Sequence, residues 1–170
     1  MQRLTLLHCV TKPKETQLMA ELPVDVRALL SVPAEDMERP RPLADGHYIA
    51  EVSGQPEFDQ TRPNAEGKQT HLVRFNYKVL EECEDVAKDA NKVIDLARRE
   101  IRQEFFITPA AAYRLGDAVN GILGAAPGVG VDERLADVQG ARVQIQLRER
   151  TDRRTGEKTG YNEVVTVVAA

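Results

Sequence analysis

The sequence predicts a mainly β protein, and three observations carry that expectation. Val143, Ile145 and Leu147 alternate with Arg142, Gln144, Gln146 and Arg148, the two-residue period of a strand with one wet face. Val73, Phe75, Tyr77 and Val79 alternate in the same way with Leu72, Arg74, Asn76 and Lys78. A polar, glycine-containing turn at 150–160 separates the first of these runs from a β-rich run at 161–168, which reads as a hairpin.

Taken in order, the first 45 residues hold little pattern. Residues 1–18 read as a leader or an upstream mis-start, with Met19 as a natural beginning. Residues 24–30 have the spacing of about two helical turns, with Val26, Leu29 and Leu30 on one side. Pro33, Pro40 and Pro42 stand among Glu35, Asp36, Glu38, Arg39 and Arg41, so 1–45 is expected to be an extended, partly helical lead-in that drapes over a domain or a partner. The β-domain is expected to fill 46–170. Residues 47–53 make a short strand with Tyr48, Ala50 and Val52 inward. A polar loop at 54–68 leads to the clearest strand, 69–80. Val86, Ala90, Val93, Ile94 and Ala97 recur at helical spacing, which predicts an amphipathic helix inserted at 81–99. Residues 100–107 return to strand, with Phe105 and Ile107 inward. Thr108 as N-cap and Pro109 at the first helical position predict a helix there. Its buried stripe is Ala111, Leu115, Ala118, Val119 and Ile122, and Gly124 ends it. A short helical segment at 133–138 and then Gly140 lead into the final hairpin.

Five strands, a helix between the third and fourth and a helical insertion between the second and third are the layout of an OB-fold, a five-stranded, partly open barrel. A generic α+β sheet fits the same string, because strand order is not written in the pattern. The chain of 170 residues is long enough for one domain with a substantial core. Its net charge of -4 excludes a strongly basic nucleic-acid coat, so a nucleic-acid site has to be a local patch. Cys9 and Cys83 are far apart and read as free thiols of a reducing compartment. No apolar run approaches a membrane-spanning length. These features predict a soluble cytoplasmic protein without a membrane role.

Motifs for other chemistry fail on spacing. Residues 67–70 are reminiscent of a phosphate loop, but Arg62 stands where its first glycine belongs and Gln69 where its hydroxyl belongs. Gly128 and Gly130 lack a preceding strand and a third glycine. His8, His47 and His71 are dispersed, and neither cysteine has a metal-ligand neighbour at finger-like spacing. No nucleophile, base and orienting group assemble. The expectation is a non-enzyme with no cofactor and no metal.

The basic residues point elsewhere. Arg148, Arg150, Arg153, Arg154 and Lys158 outnumber Glu149, Asp152 and Glu157 five to three along the hairpin. Such an arm tracks phosphates by charge and by the bidentate geometry of arginine. The alternative is a solvated turn whose acids and bases pair off. Arg74, Asn76 and Lys78 share the non-core face of their strand, and Arg102 and Phe106 share the outward side of the next. In an OB-fold these two strands carry the binding face, so the five residues form a cationic stripe with Phe106 as one stacking platform. The alternative for Phe106 is packing beneath the inserted helix. Tyr48, Phe75 and Tyr77 read as core.

Residues 40–48 (PRPLADGHY), 73–79 (VRFNYKV), 105–115 (FFITPAAAYRL) and 140–145 (GARVQI) form a series that resembles phage and prophage proteins similar to OB-fold single-stranded-DNA-binding proteins. The resemblance spans about residues 21–168. It implies a sequence-tolerant binder of single-stranded DNA that supports replication or recombination, with proteins of those processes as possible partners. The chain departs from many such binders in ending on apolar residues 164–170 rather than on an acidic tail. Apolar side chains on both faces of 164–168 leave an edge that needs covering, which predicts self-association, as a homodimer, with the N-terminal lead-in as the competing cover. The competing expectation is a phage protein-interaction or virion-associated β-domain that binds no nucleic acid.

Overall fold

The computed structural model describes residues 28, 31–33 and 41–170. The chain divides into two units, 1–39 and 40–170. Of the first unit, Ala28 is helical and 31–33 form a turn, with the Ser31 N–H and hydroxyl both donating to the Ala28 carbonyl. The expectations for residues 1–18, the Met19 start, Cys9, the remainder of the 24–30 helix and most of the proline-rich lead-in fall outside the described residues.

The second unit is mainly β, with six antiparallel strands in one sheet. They are β1 (Gly46–Val52), β2 (Glu57–Gln60), β3 (His71–Glu82), β4 (Glu100–Phe106), β5 (Arg142–Thr151) and β6 (Lys158–Ala169). The helices are α1 (Tyr113–Leu123) and α2 (Val131–Arg134), the latter running into a 3-10 turn at Leu135–Val138. The sheet order is β2-β3-β1-β5-β6, with β4 on the opposite edge of β3. Register fixes this: Arg74 is flanked by Glu57 of β2 and Glu104 of β4, and Tyr77 by Val52 of β1 and Ile101 of β4. The alternating residues then fall on one face. Tyr48, Ala50, Val52, Val73, Phe75, Tyr77, Val79, Val143, Ile145 and Leu147 are all buried, and the Leu115, Ala118, Val119 and Ile122 stripe of α1 joins the same core. Phe75 meets Phe105 edge-on at 5.1 Å between centroids.

Several expectations are corrected. The expected partly open barrel is seen only as a single sheet that is not closed: β4 and β6 approach each other but form no ladder. The strands number six, because residues 57–60 in the supposed loop extend the β3 hairpin as β2. In place of the predicted helix at 81–99, residues 81–82 complete β3 and the rest is a chain of turns with one 3-10 turn at Leu96–Arg98. Here Asp89 takes φ 63 and Asn91, not Val93, turns inward; Asn91 is 4% exposed and Val93 77%. Asn91 repays burial with a closed network. The Ala44 N–H donates to its Oδ1 at 2.9 Å, its amide donates to Tyr48 Oη at 2.8 Å and Glu82 at 2.7 Å, and the Tyr48 hydroxyl donates to the Ala44 carbonyl at 2.7 Å. The helix expected from Pro109 starts at Tyr113 behind turns at 109–112, and its N-cap is Ala112 without a side-chain bond, not Thr108. Ile107 lies past the end of β4 and is 39% exposed rather than inward. Gly124 does end α1, with φ 81, and Arg134 donates to its carbonyl at 2.6 Å.

Two features anchor the sheet's margins. Leu43, 2% exposed, is held to β6 by reciprocal bonds with the Asn162 amide at 2.8 and 2.9 Å. Helix α1 lies so close to β6 that a Cβ on Gly121 would sit 2.3 Å from the Val167 carbonyl oxygen. No helix among the described residues is long and apolar enough to cross a membrane.

Candidate nucleic-acid interface

The hairpin arm is built by its own sequence. Asp152 caps the turn: its carboxylate accepts from the Arg154 N–H at 2.7 Å and the Thr155 N–H at 3.2 Å. Its N–H donates to the Glu157 carbonyl and its carbonyl accepts from Gly156, both at 2.8 Å, with Gly156 at φ 75. At the base of the arm, Arg148 pairs with Glu163 at 2.9 Å and Lys158 with Glu149 at 3.0 Å. The hydrogen bond that Lys158 donates to Glu149 raises the Lys158 pKa. Arg150, Arg153 and Arg154 are exposed and have no ion-pair partner among the described residues. Acids and bases therefore pair off at two of the five cations, Arg148 and Lys158, and not at Arg150, Arg153 and Arg154.

The β3–β4 face differs from the expected stripe. Arg74 is clamped between Asp59 on β2 and Glu104 on β4, the latter at 2.8 Å, and its side chain is only 21% exposed. The Gln60 N–H and then the Arg74 guanidinium hold the Asp59 carboxyl below its ordinary range. The Asn76 amide donates to Glu57 at 2.9 Å and its oxygen accepts from Arg102 at 3.4 Å. Lys78 lies between Glu51 on β1 and Glu100 on β4 in register, and is exposed. The face is thus a ladder of alternating sign. Its acids escaped the sequence reading because Glu57 and Asp59 lay in a presumed loop and cross-strand partners need the register. Phe106 does point outward, 44% exposed, opposite the buried Leu72.

The structure does not gather these residues at one point. Phe106 pairs at the start of β3, where β2 lies, whereas the arm extends past Gly46 at the other end of β1, where β3 finishes at Glu82. A ligand touching both clusters has to cross the β3 face between them. Sequence reasoning also missed three exposed aromatics. Tyr161, 63% exposed, stands on β6 at the base of the arm, two residues before the outward Glu163. That spacing was its signal. Phe58 is 74% exposed on β2, and Tyr113 is 60% exposed at the start of α1 with the Arg114 guanidinium 5.9 Å from its ring centroid.

His47 Nδ1 lies 2.8 Å from Asp85, whose carboxylate also accepts from the His47 N–H at 3.1 Å. The imidazole bond leads in holding the Asp85 pKa down. Burial, then the Asp85 and Glu81 charges, push the Cys83 thiol up. Among the described residues no three His, Cys, Asp or Glu side chains gather as metal ligands. Comparison with known protein families and with curated proteins finds no match to this chain.

Proposed function

We propose that this chain is a sequence-tolerant single-stranded-DNA-binding module of OB type, acting in phage replication or recombination in the host cytoplasm, with the β5–β6 arm as its principal contact. The observation that carries the reading is the clustering of three exposed arginines without ion-pair partners among the described residues, Arg150, Arg153 and Arg154, on one hairpin arm. Unpaired guanidinium groups on a capped turn suit a phosphate backbone, which they meet bidentately while displacing condensed counterions. Strand order adds support. The succession β4-β3-β1-β5-β6, with the outer strands β4 and β6 approaching each other and α1 following β4, fits a partly open OB barrel. In that fold the hairpin arm and the loop holding β2 flank the binding face. Phe106 and Tyr161 then offer base-stacking surfaces that a duplex has no free bases to use.

The test is fluorescence anisotropy with a labelled oligothymidylate at two salt concentrations. Replacing Arg150, Arg153 and Arg154 with alanine is expected to weaken binding to every sequence alike. The salt slope should flatten by about 2, at about 0.7 per single-strand phosphate released. Unchanged affinity would show that the hairpin is only a turn.

A second reading rests on the acidic side of the β3–β4 ladder. Glu51, Glu57, Asp59, Glu100 and Glu104 outnumber Arg74, Lys78 and Arg102 there, which suits an interaction domain with a basic protein partner. Equal or absent binding of single and double strands at low salt favours that reading.

A further inference from the structure

Between the end of β1, the middle of β3 and the start of β4 lies a cavity of about 200 Å³ lined by Ser53, Lys78, Ala97, Arg98, Arg99 and Glu100. Three of its six residues are cations against one acid, Glu100, whose carboxylate accepts a hydrogen bond from the Ser53 hydroxyl. Lys78 has no ion-pair partner among the described residues, although Glu51 stands across from it on β1. Arg98 pairs only with Asp95 at 3.2 Å, in a bridge whose side chains are 88% and 59% exposed. Such a bridge is worth little and exchanges readily for a better anion. Arg99 is fixed as a wall: its guanidinium donates to the Arg41 carbonyl at 2.9 Å, and its own carbonyl accepts from the Val79 N–H at 3.1 Å. Asp95 caps the 3-10 turn through the Ala97 N–H at 3.1 Å, which sets Arg98 at the rim.

We propose that this cavity is a seat for a phosphate group, with Lys78 and Arg98 as its charged contacts and Arg99 as its rigid side. The placement gives it meaning. Lys78 lies midway along the outer face of β3, between the Leu72–Phe106 row and the end from which the arm extends. A strand running from the arm toward Phe106 passes over it. Tetrahedral oxyanions suit this lining, because an ammonium and a guanidinium give charge-assisted bonds from two directions. The oxyanion chemistry stands on the cavity alone; that the phosphate belongs to a nucleic-acid backbone rests on the single-strand reading.

The experiment titrates the full ¹⁵N-labelled chain separately with inorganic phosphate, against chloride of equal ionic strength, and with an oligothymidylate that carries no terminal phosphate. Both are expected to shift the amides of Lys78, Ala97, Arg98 and Arg99. The double variant Lys78→Gln, Arg98→Gln should keep the dispersed spectrum of a folded chain, lose both sets of shifts and bind the oligonucleotide about tenfold more weakly, the equivalent of one charge-assisted bond. A cavity response to the oligonucleotide alone supports the seat as a backbone contact. A response to phosphate alone, with the arm also silent toward the oligonucleotide, keeps the seat for a small phosphorylated ligand and removes the single-strand reading. Arm amides that respond to the oligonucleotide while the cavity stays silent in both titrations overturn the seat and leave that reading intact. Silence everywhere overturns both.

Discussion

Phe106 and Asp85 are the single side chains at which stacking and local stability can each be tested. Phe106 is half out of the surface, so its removal tests stacking with little damage to the core. Phe106→Ala is expected to cost about 1 kcal/mol of stability, against about 3–5 for a buried phenylalanine. It should cost roughly 1–3 kcal/mol of oligonucleotide affinity with the salt slope unchanged, because stacking releases no counterions. Thermal denaturation beside anisotropy separates the two effects, and gross unfolding would show that the ring is structural. Asp85 ties the turns after β3 to His47, and its carboxyl is held below its ordinary pKa by that contact. A group with a depressed folded pKa lends stability above its unfolded pKa, which is lost as pH falls through the folded one. Protection of the amides at 83–99, measured against their intrinsic exchange rates at each pH, is therefore expected to fall as pH drops below about 4. Asp85→Ala should exchange faster than wild type at neutral pH and show a flatter acid response; identical profiles would show the contact to be idle.

At the scale of elements, the arm and the β3 face exchange importance relative to the sequence reading. Arg74 was expected to contact a ligand, yet Asp59 and Glu104 already use its guanidinium. Helix α1 gives the sharpest structural test. Alanine at Gly121 gains roughly 1 kcal/mol of helix propensity, but its Cβ would sit 2.3 Å from the Val167 carbonyl oxygen, a backbone atom that cannot swing aside. Gly121→Ala is expected to destabilise by about 1–3 kcal/mol net, seen as a Tm several degrees lower by circular dichroism; an unchanged Tm would mean that α1 and β6 are less tightly packed. Elements whose burial follows from local period were legible: β1, the core face of β3 and β5 bury the residues their spacing selects, as does the α1 stripe except for Ala111, which lies in the turns before the helix and outside the core. Elements decided by partners were not. The crossover at 83–99 has helical spacing, but the network around Asn91 outweighs the burial of Val93. The β2 strand carries one apolar residue, Phe58, and exists because β3 supplies its ladder. The acids facing Arg74 and Lys78 become visible only once register places them.

For the molecule as a whole, the balance between an acidic body and a basic arm makes the choice of ligand form the decisive measurement. Preference for single strands over duplex, falling steeply with salt, is expected. Self-association is the second whole-molecule expectation. Val165 and Val168 are 44% and 47% exposed on β6, while α1 packs against the backbone of that strand from within the chain. Light scattering at micromolar concentration checks it: a dimer means that the valines seek a second copy, a monomer that α1 is cover enough. The position of β1 also sets a timetable. It is the first strand of the sheet to be synthesised, yet it lies at the centre, and Tyr48 meets Ile145 almost a hundred residues later in the chain. At synthesis rates of about 5–20 residues per second, one edge of the central strand waits roughly 5–20 s for its partner. That interval on the ribosome is when a stray strand has its best chance of taking the place of β5.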